Sequence, residues 1–291
     1  MKKIFYICLI FITNTSISQS VTQDSISEYE KNISLILRKM NQSTSYNEKK
    51  NHNIEMMSIM KKVLPKKKAF LHPFDSLKNI MSITSEDKNV RIFSWMIEKQ
   101  DKKNKEYEYF GIIILRSKDS THNHLINLRD KSNTIIDPEK KELKPEEWYG
   151  CIYYEIISNK RKKDGKYILL GWDGHNAISN KKVIEPINIF KDTITFGDPI
   201  LQQDTITKNR FIIEYHERTV LTLKYDKKEK RIIFDNLVPL KEEQKNIKQH
   251  YVPDGTYNCF RYKNKRWIYQ ENTDALNNGI KLKNENKSKK E

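Results

Sequence analysis

Residues 167–176 read Tyr-Ile-Leu-Leu-Gly-Trp-Asp-Gly-His-Asn. Residues 167–172 are rich in aromatic and branched side chains, the pattern of a strand. Asp173-Gly174 directly behind them is a tight-turn pair, and His175 and Asn176 tolerate such a loop well. A strand that ends in a tight turn comes back beside itself, and residues 183–190 supply the returning strand. The same alternation recurs outward in both directions. Residues 90–97, 107–116 and 148–157 precede it, and 210–215, 220–225, 231–235, 257–262 and 266–270 follow. No helix pattern separates these segments. About ten short strands at hairpin spacing predict an antiparallel β domain over residues 86–277, curled, two-layered or barrel-like, and not a βαβ fold.

Upstream the period changes. Residues 24–40 carry Ile26, Tyr29, Ile33, Ile36, Leu37 and Met40 at helical spacing, with Ser25 and Glu28 as a capping-box pair. Residues 48–64 repeat the pattern with Ile54, Met57, Met60 and Leu64 and stop at Pro65. A short helical turn is expected after Asp75, carrying Leu77, Ile80 and Met81. The fold class is therefore α+β. Amphipathic helices in a segment spanning residues 19–85 precede the antiparallel β domain, and a basic, disordered tail over 278–291 follows it.

The first eighteen residues read as an address. Lys2 and Lys3 are followed by nine apolar residues at 4–12, the length of a signal-peptide core and too short to cross a bilayer. Ser16 and Ser18 are the small residues expected before a cleavage site, with Gln19 as the first mature residue. Export to the periplasm or beyond follows. No apolar run approaches the roughly 20 residues of a membrane-spanning helix. Of the three Cys, Cys8 leaves with the signal. Cys151 and Cys259 remain, free to pair in an oxidising compartment or to stay as two separate buried thiols. A bridge would close just over a hundred residues and contribute about 2–4 kcal/mol.

The chain has 291 residues and a net charge of +16, which export lowers to +14 by removing Lys2 and Lys3. Ten of its 54 basic residues are Arg and 44 are Lys. Bidentate phosphate and guanine recognition favours Arg, so this balance argues against a nucleic-acid partner. Ile, Asn and Lys abound while Ala is scarce, the profile of AT-rich codons, and codon bias alone accounts for much of the charge. The Lys runs at 102–105, 160–163, 227–230 and 263–265 each fall between two strands, at hairpin tips where solvated charge belongs. If those tips share one face, they form a surface for an anionic glycan or a nucleic acid.

Two groups of residues invite a chemical reading. His122-Asn123-His124 places two imidazoles on one face of an extended segment. A metal would need a third ligand, for which Asp173, His175, Glu214 and His216 are of the right type. The bland reading is exposed loop histidines, and no metal or cofactor is implied. Trp172-Asp173-Gly174-His175-Asn176 is the densest group of functional residue types and the candidate binding site. As chemistry, Asp173 would orient His175 as a general base, with Trp172 as a stacking wall, in an exported hydrolase. As structure it is a hairpin turn. Nucleophile elbow, zincin, P-loop and dinucleotide fingerprints are absent.

Several blocks in order resemble a family of uncharacterised exported proteins of Bacteroidota, flavobacteria especially. They are Trp148 to Tyr154, Leu169 to Asn176, Lys182-Val183-Ile184, Phe196 to Ile200, Arg210-Phe211-Ile212 with Glu214-Tyr215, Leu223 to Asp226, Phe234-Asp235, Pro253-Asp254-Gly255 and Trp267 through Asn277. The resemblance covers roughly residues 90–277. It implies export and a β-rich fold and supplies no catalytic residue. The function expected is a non-catalytic binding or scaffolding role in the cell envelope.

Overall fold

The computed structural model describes residues 26–100, 105–117, 122–158, 164–271 and 273. The leader at 1–18, Ser25 of the capping box, the tail at 278–291 and the Lys runs at 102–104 and 160–163 lie outside these residues. Two α-helices and fifteen strands make up the described chain, so the count of about ten strands is corrected upward. The added strands are short, four of them only three or four residues long, and a short strand carries too few alternations to be seen in a sequence.

The strands form three open sheets. The first is a meander of β1 (Met81–Thr84), β2 (Val90–Gln100), β3 (Lys105–Leu115) and β4 (His124–Arg129), antiparallel throughout. The second contains β5 (Ile152–Ser158), β6 (Lys166–Asp173), β7 (Ser179–Phe190) and β11 (Phe211–His216) in the order β11-β7-β6-β5, with β8 (Thr193–Phe196) paired to β7. The third contains β9 (Leu201–Gln203), β10 (Ile206–Lys208), β12 (Leu223–Asp226), β13 (Arg231–Pro239), β14 (Tyr251–Lys263) and β15 (Arg266–Gln270). Its β15–β9 pair, Trp267 beside Leu201, is parallel and departs from the antiparallel expectation.

Alternation along each strand shows how the layers stack. Phe93, Trp95 and Ile97 of β2, with Ile112 and Ile114 of β3, pack against the helices α1 (Ile26–Gln42) and α2 (Tyr46–Val63). Val90, Ile92, Ile113 and Leu115 face the other way and meet Tyr153, Leu169, Val183 and Ile187 of the second sheet. Ile168, Leu170 and Ile184 project from the opposite side of that second sheet into a core with Ile232, Phe234 and Phe260 of the third. The order is helices, first sheet, second sheet, third sheet. The second sheet is covered on both faces, which is why residues 167–170 are apolar without a break and all buried.

The helical faces deserve a correction. α1 buries Ile33, Ile36, Leu37 and Met40 as its spacing predicts. α2 buries Asn53, Met56, Met60 and Val63, while Ile54 is 60% exposed. Asn53 turns inward because its Oδ1 accepts the indole N–H of Trp95 at 2.7 Å. A polar residue on the inner face displaces the stripe that an apolar count alone would draw. The helical turn expected after Asp75 is also absent. Phe74 and Asn79 adopt left-handed φ values of 58° and 70°, which break a helix, and Met81 opens a strand instead. Leu77 and Ile80 are nonetheless buried beneath α1 and α2. Arg91 ties this segment to the first sheet by donating to the carbonyls of Phe70 and Pro73, both at 2.9 Å.

Inside the second sheet sits an ion pair with no exposed surface. Arg210 Nη2 lies 2.8 Å from Glu185 Oε1, and its Nε donates to both Glu185 oxygens. The same guanidinium donates to the carbonyls of Pro138 and Lys141, fastening the long connection between β4 and β5 against the sheet. Cys151 and Cys259 are free and buried, so the proposed disulfide is corrected to two separate thiols. Cys151 packs between the first and second sheets, against the Gly171 position. Cys259 lies in the third sheet beside Phe260, which faces the second, so alternation turns Cys259 away.

Two outcomes follow. Cys151 and Cys259 resist alkylation in the folded protein and react on unfolding without any reductant; a requirement for reductant would contradict the structure. Arg210→Met strands the buried Glu185 carboxylate and costs about 3–5 kcal/mol in a denaturant titration, most of it recovered in the double variant with Glu185→Leu.

Candidate functional site

The expected hairpin from β6 to β7 forms, but not through a tight Asp-Gly turn: Asp173 is the last residue of β6 and the chain returns through residues 174–178 before β7 begins at Ser179. Asp173 is buried and its carboxylate is fully engaged. Oδ1 accepts the Tyr109 hydroxyl at 2.8 Å and the backbone N–H of His175 at 2.8 Å, and Oδ2 accepts the Tyr149 hydroxyl at 3.2 Å. The Tyr109 oxygen in turn accepts the N–H of Gly174 at 2.7 Å. Burial and the Asp173 charge push both phenols well above the ordinary tyrosine range, so they stay protonated donors. Gly174 is required here, because a Cβ would meet the Tyr107 ring at 2.5 Å.

These contacts overturn the general-base arrangement expected of the pair. Asp173 holds the backbone of His175 and not its ring. The bond fixes His175 at a left-handed φ of 41°, and the imidazole turns to Lys181, whose Nζ lies 3.0 Å from Nδ1. On the other side of the ring, Nε2 is 3.9 Å from Glu214 Oε1, and Glu214 also accepts the Ser179 hydroxyl at 2.6 Å. Burial, then the Lys181 charge, lowers the His175 pKa, and burial lowers that of Lys181.

Asp173, His175, Asn176, Lys181 and Glu214 line a pocket of about 680 Å³ whose far wall is the connection fastened by Arg210. Trp172 is not part of it. It projects from the opposite face of β6 and meets Tyr107 edge-on at 6.3 Å. Asn176 lines the pocket, but its Oδ1 closes the turn by accepting from Ile178 and Ser179. His122 and His124 lie elsewhere, at the β4 end where Lys66 bridges to His122. Among the described residues no three His, Cys, Asp or Glu side chains are grouped to hold a metal. Lys181 was not legible as a site residue, although a Lys alternating with Val183 and Ile187 on an inward face is a signal of one.

A second, larger cleft of about 950 Å³ opens at the other end of β6, between the second and third sheets. Its floor is apolar, with Ile157, Ile168, Ile187 and Ile200, and Tyr225, Tyr262 and Trp267 stand at its side. The aromatic wall is built by contact, Tyr262 with Trp267 at 5.3 Å and Tyr225 with Trp267 at 6.4 Å. Two of the Lys-rich hairpins reach its rim, and the described end of a third, whose run at 160–163 lies outside the described residues, borders it as well. Lys227 and Lys230 come from β12–β13, Lys265 from β14–β15, and Asp164 with Lys166 from β5–β6. The fourth hairpin is at the opposite end, where Lys105 lies over Tyr107. Lys227 pairs with Glu86 at 3.0 Å and Lys166 with Asp198 at 2.9 Å, whereas Lys230 and Lys265 make no ion pair among the described residues. The Ser158 hydroxyl oxygen, also in this lining, is buried and has no hydrogen-bond partner among the described residues.

Replacing Asp173 by Ala leaves three buried donors unmatched and lowers stability by about 3 kcal/mol or more, measured by thermal or denaturant unfolding. Asp173→Asn keeps one acceptor oxygen and costs less.

No described helix is long and apolar enough to cross a membrane. No protein-family model matches this chain, and neither the curated proteins nor the solved structures contain a significant match.

Proposed function

We propose that the protein is an exported, non-catalytic binding protein that holds an acidic saccharide in the cleft between its second and third sheets. The observation that carries this reading is the convergence of Lys166, Lys227, Lys230 and Lys265 on one aromatic-walled cleft. Sugar rings lay their C–H faces on aromatic side chains, and ammonium groups at the rim suit the carboxylates or sulfates of an acidic sugar. Four Lys against Glu86 and Asp164 leave the lining net positive. Among the described residues the cationic side chains of the lining are all Lys. Lys230 and Lys265, which make no ion pair among the described residues, are the ammonium groups placed to meet the ligand's acidic groups. Export rests on residues 1–18, and the resemblance to exported proteins of Bacteroidota agrees with it.

Calorimetry with a uronate or sulfated oligosaccharide and a neutral one of equal length tests the proposal. The acidic ligand binds, its affinity falls as salt rises, and the neutral ligand binds at least roughly tenfold more weakly, a difference of about 1.4 kcal/mol. The double variant Lys230→Ser/Lys265→Ser removes most of that preference, and Tyr262→Ala, at a 43% exposed residue, weakens both ligands. Equal affinity for the two ligands, or indifference to the double variant, would sink the assignment.

A further inference from the structure

The turn at the opposite end of β6 carries a different chemistry. Register places Lys181 of β7 directly between Asp173 of β6 and Glu214 of β11. Cross-strand neighbours share a face, so the ammonium stem rises between two acids. A lysine serving only as structure would form an ion pair with one of them. Here the Asp173 oxygens are taken by Tyr109, Tyr149 and the His175 N–H, and Glu214 accepts from Ser179. The hydrogen bond from Lys181 goes instead to an imidazole nitrogen, Nδ1 of His175, at 3.0 Å, and Glu214 stands 3.9 Å from the other ring nitrogen. Amine and base are in hydrogen-bond contact, and a carboxylate stands within charge-pair range of the base's other nitrogen, the order of groups that activates side-chain nucleophiles generally.

We propose that Lys181 is an amine nucleophile, with His175 as its proton acceptor and Glu214 orienting the imidazole, and that the pocket before it binds a small aldehyde or ketone as a Schiff base. His175 is a positioning and proton-accepting group set by the Asp173 bond, which holds it at a backbone conformation few non-glycine residues adopt. Burial weakens the proton's hold on Lys181 and keeps His175 neutral, able to accept. The groups nearest Lys181 are Asp173 from β6, Glu214 from β11 and His175 from the turn, and the other charged residues of the pocket are Glu106 of β3, Asp137, Glu139 and Lys140 of the β4–β5 connection, and Lys248.

The step balances without a further reactant. The ammonium gives a proton to His175, the amine nitrogen adds to the carbonyl carbon, and the π pair moves to oxygen, which takes up the second proton shed by that nitrogen. The carbinolamine then loses that oxygen as water, with the proton returned from His175, leaving a protonated imine. One ammonium and one carbonyl become one iminium and one water.

The test incubates the folded protein with pyruvate or glyceraldehyde and sodium cyanoborohydride, which reduces an imine to a stable secondary amine, and maps the modified lysines by peptide mass. Lys181 is modified roughly tenfold faster than the median lysine, and its rate reaches half-maximum at a lower pH than theirs. His175→Gln slows Lys181 labelling by roughly tenfold or more and leaves the other lysines unchanged. Labelling of Lys181 at the rate of exposed lysines, or an unchanged rate in His175→Gln, overturns the proposal. If that variant does not fold, the pH profile of the unaltered protein decides alone, and a profile matching the surface lysines overturns it. The cleft variant Lys230→Ser/Lys265→Ser does not alter Lys181 labelling, so the two sites fail or stand separately.

Discussion

A sheet covered on both faces has no side on which a polar side chain can reach water, and the second sheet is such a sheet. Every polar group it carries inward must find its partner inside the protein or remain uncompensated. Glu185 meets this by pairing with Arg210, whose Nη1 donates to the Pro138 and Lys141 carbonyls. The connection between β4 and β5 is thereby held against the sheet and becomes a pocket wall. Asp173 meets the same requirement with two tyrosine hydroxyls and a backbone N–H. Charge inside this layer is therefore also architecture. The pair does not have to add net stability to have that effect, since a buried ion pair often breaks even against an apolar replacement.

Both sites lie where the double covering ends. β6 has eight residues and so spans about 25 Å. Lys166 opens onto the aromatic cleft and Asp173 onto the His175 pocket. Along the strand between them, alternate side chains are committed to packing and leave no room for a ligand. The ends are where hairpins must turn, where Gly and Asp are demanded by the backbone, and where Lys can stay solvated.

Much of this was legible in the sequence for definite reasons. Residues 167–176 announced a strand and its turn because β-rich residues ran straight into Asp-Gly. α1 was readable because its inward face is wholly apolar. α2 was misread by about one position because Asn53 is inside, and nothing in a count of apolar residues marks an asparagine that will meet a tryptophan. The number of layers was not legible. An apolar run such as 168–170 says that both faces are covered but not by what. The site residues divide in the same way: Asp173, His175 and Asn176 were found as a cluster along the chain, whereas Lys181 and Tyr109 join them only through register and sheet packing. Glu214 was noticed as a ligand type and could not be placed. The Lys-rich hairpins were seen as tips, and their meeting at one cleft depends on how two sheets face each other.

The layers also stack in nearly the order in which they are synthesised: helices from 26 to 63, the first sheet from 81 to 129, the second from 152, the third to 270. One strand, β11, returns to an earlier layer after β9 and β10 have begun the last. A chain emerging N-terminus first, from a ribosome or through a narrow pore, can dock each new layer on a finished one. The second sheet then has one face covered as it forms, and only its other face waits for the third. That shortens the time during which a wide apolar surface is open to other chains, and it makes the segment that builds the third sheet, residues 201–270, the one whose delay exposes the protein to aggregation.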